Sequence, residues 1–169
     1  MIDQGEKGFK VSKEKKIRIS CDWKNTGSSV RSRTKTNSGN KSRLYKHKGD
    51  FSWQGIKVEK YKLTGKGWSD IVRHTLIGSH GETSRFHLRY FEIASGGYSS
   101  LEVHKHEHVI IGIRGRGVCT AGNKSYEIGF LDTVYIQPDA LHQLKNPFNK
   151  PFGFFCIVNA RRDRPRILD

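Results

Sequence analysis

Short alternating stretches of apolar and polar residues follow one another along the chain from about residue 51. The stretches "FSWQGIKVEKYKL", "RFHLRYFEIA" and "DTVYIQP" are rich in the β-branched and aromatic residues that strands favour. Gly, Asn and Pro separate these stretches at intervals of about 8–12 residues, and no long helical repeat interrupts them. The pattern therefore predicts an all-β sandwich or barrel over residues 51–169.

The secondary structure of one stretch is ambiguous, and a glycine pair predicts one turn. Residues 69–78, "SDIVRHTLIG", fit either a strand or a short helix. The Gly96–Gly97 pair predicts a turn after the strand "RFHLRYFEIA".

The first 50 residues differ in composition from the rest of the chain. They hold 14 Lys and Arg against 5 Asp and Glu, whereas residues 51–169 hold 17 against 11. The stretch "KNTGSSVRSRTKTNSGNKSR" contains almost nothing to bury, so burial cannot offset the entropy cost of ordering it. We therefore expect residues 1–50 to form a basic, low-complexity arm that is mobile or extended. A solvated tail is the favoured interpretation, and contact with nucleic acid is the minor one, because no nucleic-acid motif accompanies the charge.

Length and cysteine content limit the class of protein. A chain of 169 residues suits one domain with a sizeable core. The three cysteines, Cys21, Cys119 and Cys156, are odd in number and widely spaced, which argues against a disulfide framework. No apolar run approaches the roughly 20 residues that span a bilayer, and the first ten residues lack the apolar stretch of a secretory signal. These features predict a cytoplasmic protein without a membrane segment.

Three of the eight histidines stand at every second position of one predicted strand, "LEVHKHEHVIIGI". Since side chains alternate across a strand, His104, His106 and His108 share one face with Glu102 and Ile110. Three neutral imidazoles are costly to bury without partners, whereas a divalent cation accepts a lone pair from each of them. Exposed histidines or a buried hydrogen-bond network are the alternatives. We expect a metal site on the inner wall of the barrel.

A further ligand has to come from another strand, because one strand seldom surrounds an ion. The best candidate is His142 in "DTVYIQPDALHQLKNP". Pro138 in the same stretch breaks the strand ladder and permits a bend, so the next strand can bring His142 back across the sheet.

Two of these stretches carry the resemblance to a known family. "GGYSSLEVHKHEHVIIGIRGRG" resembles the first cupin motif, and "DTVYIQPDALHQLKN" resembles the second. The resemblance covers residues 51–169 and implies a double-stranded β-helix, or jelly-roll barrel, with one metal ion inside. It matches His104 and His106 to the His-x-His pair and His142 to the histidine of the second motif. The family's glutamate has no match at its usual offset, and His108 takes its place as in four-histidine cupins.

The implied cofactor is one divalent transition metal held by these four histidines. Mn²⁺ is our first expectation, and Fe²⁺, Ni²⁺ and Zn²⁺ stay open because neutral imidazoles suit all of them.

Longer stretches resemble one cupin subgroup, which is associated with methionine salvage and a shunt towards isoprenoids. The resemblance is carried by "RYFEIASGGYSSLEVHKHEH", "IGIRGRG", "VYIQPDALHQLKN" and "GFFCIVNARRDRP". The subgroup includes an enzyme that releases the methylthio group from 1-methylthio-D-xylulose 5-phosphate, with a thiol accepting the methylsulfur group. The resemblance implies a metal-dependent lyase or transferase that acts on a C–S bond of a small sugar phosphate.

Such chemistry needs a nucleophile, a cation for the phosphate and polar groups near the ion. Cys156 in "GFFCIVNA" is the candidate catalytic thiol, although a small buried hydrophobe in a core strand fits its position equally well. The candidate substrate-binding residues are Arg89, Tyr90, Glu92 and Gln143.

Other functions remain open, since one barrel fold supports many reactions. They are a metal-dependent dioxygenase or decarboxylase, and a non-catalytic barrel that binds a small molecule. By family analogy we expect a homodimer.

Overall fold

Strands make up all the regular secondary structure in the described part of the chain. The computed structural model describes residues 42–62, 66–162 and 166–168, and within these ranges it contains thirteen strands and no helix. Accordingly, the described residues include no helix with the length and apolar character to cross a membrane. The strands are β1 (His47–Gly49), β2 (Ser52–Trp53), β3 (Glu59–Lys60), β4 (Ser69–Ile77), β5 (Phe86–Tyr98), β6 (Glu102–Val103), β7 (His108–Arg114), β8 (Gly117–Ala121), β9 (Lys124–Ile128), β10 (Thr133–Ile136), β11 (His142–Lys145), β12 (Phe152–Asn159) and β13 (Arg166–Ile167).

The predicted arm lies mostly outside the described residues, which begin at Ser42. Its mobility, its contact with nucleic acid and its boundary at residue 50 therefore stay predictions. Residues 42–56, which we call the outer strap, are described, and they carry β1 and β2 paired as a small antiparallel sheet.

Eleven of the described strands form one antiparallel sheet that nearly closes into a barrel. β7 lies between β10 and β12, and β12 also pairs with β5. β5 pairs further with β4 and, at Tyr98, with β11. β11 pairs with β6 and β8, and β8 continues into a hairpin with β9. The predicted all-β barrel is confirmed, and residues 69–77 are a strand rather than a helix.

The longest strand, β5, corrects the expectation of a turn at the double glycine. β5 runs through Gly96 and Gly97 and ends at Tyr98. Gly96 has a φ of 78°, which glycine adopts without strain, and its N–H donates to the Asn146 carbonyl oxygen at 2.8 Å. A Cβ on Gly97 would lie 2.8 Å from the Ser69 carbonyl oxygen. The two glycines therefore bend β5 towards β11 instead of ending it.

Alternation along the strands produces two apolar clusters on opposite faces of the sheet. The larger cluster lies inside the barrel, and β5 contributes Phe91 and Ile93 to it. The smaller cluster lies outside, where Trp53 of the outer strap packs with Leu76 and Tyr90. Each large apolar side chain buried in this way stabilises the fold by about 1.5–3 kcal/mol. β5 thus contributes one face to the barrel interior and the other to the strap.

Candidate metal centre and its cavity

Four histidine side chains come together inside the barrel. His104, His106 and His108 lie between the end of β6 and the start of β7, and His142 begins β11. All four are buried, with 3–8% of their surface exposed. The ring centroid of His104 lies 3.6 Å from that of His106, 4.7 Å from that of His108 and 4.7 Å from that of His142. The structure therefore brings the predicted ligand set together from two distant segments.

The first histidine segment departs from the regular strand that the sequence predicted. β6 ends at Val103 and β7 begins at His108, so residues 104–107 are irregular. The alternation nevertheless persists, since His104 and His106 are buried while Lys105 between them is exposed. The backbone N–H of Asp139 donates to the His104 carbonyl oxygen at 2.8 Å. This bond holds the first histidine segment against the turn that precedes β11.

Backbone carbonyl groups orient two of the imidazoles. Nδ1 of His104 donates to the His106 carbonyl oxygen at 2.8 Å, and Nδ1 of His142 donates to the Ala140 carbonyl oxygen at 2.9 Å. With the proton on Nδ1, each neutral ring keeps a lone pair on Nε2. Nε2 of His142 is buried, and among the described residues it has no hydrogen-bond partner. A buried lone pair of this kind is what a metal ion requires.

The spacing of the ring nitrogens also fits a cation. The ligand atoms of His104, His106 and His108 all lie within 4.8 Å of one another. Nε2 of His108 is 2.9 Å from Nε2 of His104, close to the separation of two ligands that each lie about 2.1 Å from one ion at a right angle. Burial, followed by the neighbouring histidines, lowers the pKa of both His104 and His108, which favours the neutral form that binds metal. These residues fit a divalent transition metal.

A carboxylate that the sequence analysis left unassigned belongs to the same cluster. The ligand atoms of Glu102, His104 and His142 lie within 4.8 Å of one another. Glu102 also pairs with Lys62 at 3.0 Å and accepts a hydrogen bond from the Tyr61 hydroxyl at 3.3 Å. The sequence indicates this role of Glu102 by its position, two residues before His104 and on the same strand face. Glu102 can therefore contribute a ligand or hold the Lys62 ammonium group beside the histidines.

A cavity of about 230 Å³ opens beside the histidines. Apolar side chains form much of its wall, and they include Ile71, Phe91, Ile110, Leu144 and Phe154. Four cationic side chains also line it, namely Lys62, Arg73, Arg89 and Arg162. An apolar cavity with a few convergent polar groups is typical of a small-molecule site.

The predicted thiol lies in the wall of this cavity. Sγ of Cys156 is 3.3 Å from Nδ1 of His108, and it accepts a hydrogen bond from Nη2 of Arg89 at 3.3 Å. Burial raises the pKa of the Cys156 thiol, and the positive charge of Arg89 opposes that effect. Cys119 is buried too, with its pKa raised to about 12 by burial, but it does not line the cavity. Of these two cysteines, only Cys156 can contact a molecule in the cavity.

Three predicted substrate-binding residues lie away from the cavity. Tyr90 and Glu92 project from the other face of β5, where the Tyr90 hydroxyl donates to Glu92 at 2.7 Å. Gln143 follows His142 and also projects away, with its amide donating to the Ser99 carbonyl oxygen at 2.8 Å. Alternation accounts for all three, because the neighbours of an inward residue face outward. Their substrate-binding role stays a prediction that this geometry does not support.

A small antiparallel barrel with inward-facing histidines defines a class of β-barrel proteins whose interior could hold a metal ion. Residues 89–158 match the family described as the cupin domain. The chain is 35% identical over 118 residues to 1-methylthio-D-xylulose 5-phosphate methylsulfurylase of Rhodospirillum rubrum, which covers 69% of this chain and 74% of that protein. The chain belongs to the cupin family.

Solved structures agree with this assignment. A cupin 2 conserved barrel domain protein from Rhodopseudomonas palustris has a TM-score of 0.69 at 34% identity, covering 75% of this chain and 87% of that one. A cupin-2 domain from Rhodospirillum rubrum has a TM-score of 0.65 at 31% identity, covering 75% and 84%. The predicted jelly-roll barrel is thereby confirmed.

Proposed function

We propose that this protein releases the methylthio group from 1-methylthio-xylulose 5-phosphate and transfers the methylsulfur group to a thiol. The observation that carries the proposal is the position of the Cys156 thiol, which contacts both His108 and Arg89 in the wall of one cavity. The named activity of the relative that is 35% identical to this chain supports the choice of reaction.

The proposed reaction balances without an external oxidant or reductant. The C1–S bond of the substrate breaks, and its electron pair remains on C1 and spreads onto the adjacent C2 ketone oxygen as an enolate. The methylthio sulfur forms an S–S bond with the attacking thiolate, and C1 takes up the proton that the thiol released. The sulfur atoms are oxidised to a disulfide while C1 is reduced to a methyl group. The products are a 1-deoxy ketose phosphate and a methyl disulfide.

Different side chains of the cavity have different proposed roles in this reaction. His104, His106, His108 and His142 are the proposed metal-holding residues. A divalent ion, when bound, supplies Lewis acidity that withdraws electron density from a ketone oxygen. Cys156 is the proposed first acceptor of the methylsulfur group, and a soluble thiol then regenerates it by exchange. Arg89 orients the Cys156 sulfur through the hydrogen bond at 3.3 Å.

Two cysteine variants test the proposal. Metal-reconstituted protein is incubated with 1-methylthio-xylulose 5-phosphate and a thiol, and mass spectrometry follows methylthio release. We expect Cys156→Ser to lose at least about 100-fold in rate while keeping its metal, because the attacking sulfur is gone. Cys119→Ser is the matched control, since it removes a buried thiol that does not line the cavity.

Each result has a distinct meaning. Release at the wild-type rate by Cys156→Ser reduces Cys156 to a packing residue. Absence of release by every metal-loaded form rejects the reaction. In that case oxygen consumption indicates a dioxygenase, and ligand binding without turnover indicates a binding barrel.

The identity of the metal, the location and the assembly belong to the same proposal. We propose Mn²⁺ as the ion, the cytoplasm as the location, methionine salvage as the context and a homodimer as the assembly. Elemental analysis of protein purified without added metal, cell fractionation and light scattering check the ion, the location and the assembly in turn.

A further inference from the structure

Three arginine side chains from different parts of the chain line one region of the cavity. Arg73 lies in β4, Arg89 lies in β5, and Arg162 follows β12. Arg89 stands opposite Cys156 across the β5–β12 ladder and opposite Thr75 across the β4–β5 ladder. Because Thr75 is two positions from Arg73, Arg73 and Arg89 are diagonal neighbours on the inward face, at a spacing that long side chains bridge.

Arg162 joins this group through a contact with the same strand. Nη1 of Arg162 lies 3.3 Å from Nδ1 of His87, which precedes Arg89 by two positions and shares its face. The same Nη1 donates to the Asn159 carbonyl oxygen at 3.3 Å. Burial, followed by the positive charges of Arg89 and Arg73, lowers the pKa of Arg162, in keeping with three crowded cations.

Counting the described residues alone, the carboxylates at ion-pair distance balance only Arg73 of the three arginines. Arg73 pairs with Glu59 at 2.6 Å. Within the described ranges, no carboxylate lies at ion-pair distance from Arg89 or Arg162. Nε of Arg89 is buried and has no hydrogen-bond partner in those ranges. A partly buried cation without an acidic partner, such as Arg89, is costly, and an anionic ligand removes that cost.

We propose that Arg89 and Arg162, flanked by Arg73, bind the phosphate group of a phosphate-monoester substrate. The guanidinium fork matches two phosphate oxygens at once, which suits it to this ligand. The Cys156 sulfur lies 3.3 Å from Nη2 of Arg89, so a phosphate held here directs the carbon chain past the thiol towards the histidines. The identity of that carbon chain rests on the proposed function, whereas phosphate binding itself does not.

Titration of inorganic phosphate into the 169-residue chain by calorimetry tests the subsite without turnover. A chelator in the buffer prevents phosphate from binding a metal ion at the histidines. We expect Arg162→Ala to weaken phosphate binding about 10-fold or more, because bonds between charged groups are lost. The phosphate affinity of Arg162→Lys should lie between those of Arg162→Ala and the wild type, since lysine keeps the charge but lacks the two-pronged guanidinium group.

A neighbouring arginine provides the matched control. Arg161→Ala removes the same charge one position earlier, and unlike Arg162 this side chain does not line the cavity. Its phosphate affinity should stay within about twofold of the wild type, because a charge outside the cavity cannot bond to the phosphate directly and acts only through screening solvent. Equal weakening in Arg161→Ala and Arg162→Ala overturns the subsite, as does absence of wild-type binding at about 10 mM phosphate. Circular dichroism checks that each variant is folded. If Arg162→Ala is not folded, Arg162→Lys replaces it in the comparison with Arg161→Ala.

Turnover then separates the subsite from the proposed reaction. In metal-loaded protein, Arg162→Ala should raise KM for the sugar phosphate about 10-fold or more, with a smaller change in kcat. An unchanged KM overturns the subsite and leaves the reaction standing. Phosphate binding that depends on Arg162, without any methylthio release, overturns the reaction and leaves the subsite standing.

Discussion

The two faces of β5 place similar side chains in contrasting surroundings. On the outer face, Glu92 pairs with Arg114 at 2.9 Å, and Arg114 also pairs with Asp50 of the outer strap at 3.2 Å. On the inner face, Arg89 contacts the Cys156 sulfur and the Phe91 ring but has no carboxylate partner among the described residues. On the outer face Arg114 has two carboxylate partners, whereas Arg89 on the inner face has none among the described residues, which is why we propose that an anion binds beside it.

The aromatic side chains show the same contrast. Outside, the ring centroid of Tyr90 lies 5.5 Å from that of Phe51 and 5.2 Å from that of Trp53, so the strap covers the strand. Inside, Phe91 faces a cavity that is large enough for a small molecule. A substitution on the outer face of β5 should therefore alter stability, and a substitution on the inner face should alter ligand binding and catalysis.

The largest expected effect is on the inner face. The double variant His104→Ala/His106→Ala should reduce metal loading from about one ion per chain to near zero and abolish turnover, because half of the histidine cluster is gone. Elemental analysis and circular dichroism measure loading and folding. The double variant His47→Ala/His80→Ala, which removes two histidines outside the cluster, should load normally. Full loading of the His104→Ala/His106→Ala protein would contradict the proposed site.

A glycine on β12 provides the largest effect expected on the outer face. A Cβ on Gly153 would overlap the Tyr90 hydroxyl oxygen and lie 2.7 Å from the ring carbon that bears it. The Tyr90 ring is packed between Phe51 and Trp53, so Gly153→Ala should destabilise the fold by about 1–3 kcal/mol. Denaturant unfolding measures this loss. Metal loading per folded chain should not change, and a selective loss of metal would show that the two faces are coupled.

The strap contact at Glu82 should make stability depend on pH. Burial opposes ionisation of Glu82, but hydrogen bonds from the Tyr45 hydroxyl and from the backbone N–H groups of His80 and Gly78 outweigh it and lower the pKa to about 2. A lowered carboxyl pKa stabilises the fold above the unfolded value of 4.5, and this contribution is lost as pH falls from 4.5 towards about 2.

Glu82→Gln tests that dependence. Near pH 7 the substitution should cost about 1–2 kcal/mol of unfolding free energy, and the difference from wild type should shrink below pH 4.5. Unfolding curves at several pH values measure it. A difference that stays constant from pH 7 to pH 3 would assign the cost to packing rather than to charge.

The smallest effect concerns a residue that the sequence analysis placed near the substrate. Tyr90→Phe removes the hydroxyl that donates to Glu92 and leaves the ring stacked, so it should cost about 0.5–1.5 kcal/mol. KM and kcat for the sugar phosphate should match those of the wild type. A raised KM with unchanged stability would restore Tyr90 as a binding residue.

The histidine cluster was largely predictable because its information is local. A period of two over residues 104–108 places three imidazoles on one face whether or not the strand is regular. Pro138 then indicated how His142 could return to them. The same alternation puts Tyr90 and Glu92 on the strand face opposite to Arg89, so the three side chains cannot all line one cavity.

Other features depend on contacts that no local pattern encodes. Arg162 lies in a charged stretch after the last long strand, and only the folded barrel brings it beside His87 and Arg89. Lys62 likewise reaches Glu102 across 40 positions of sequence. Whether Gly96 and Gly97 end a strand or bend it depends on the segment that pairs with them, in this case Asn146 directly after β11, which exchanges backbone hydrogen bonds with both glycines.

The hydrogen bond between Asp139 and His104 has a consequence for the order of events during folding. The two histidine segments face each other only after the turn before β11 docks on the chain that follows β6. An ion held by both segments would therefore bind the folded barrel far more tightly than any partly folded chain. A bound metal ion should therefore slow unfolding of the protein much more than it speeds folding.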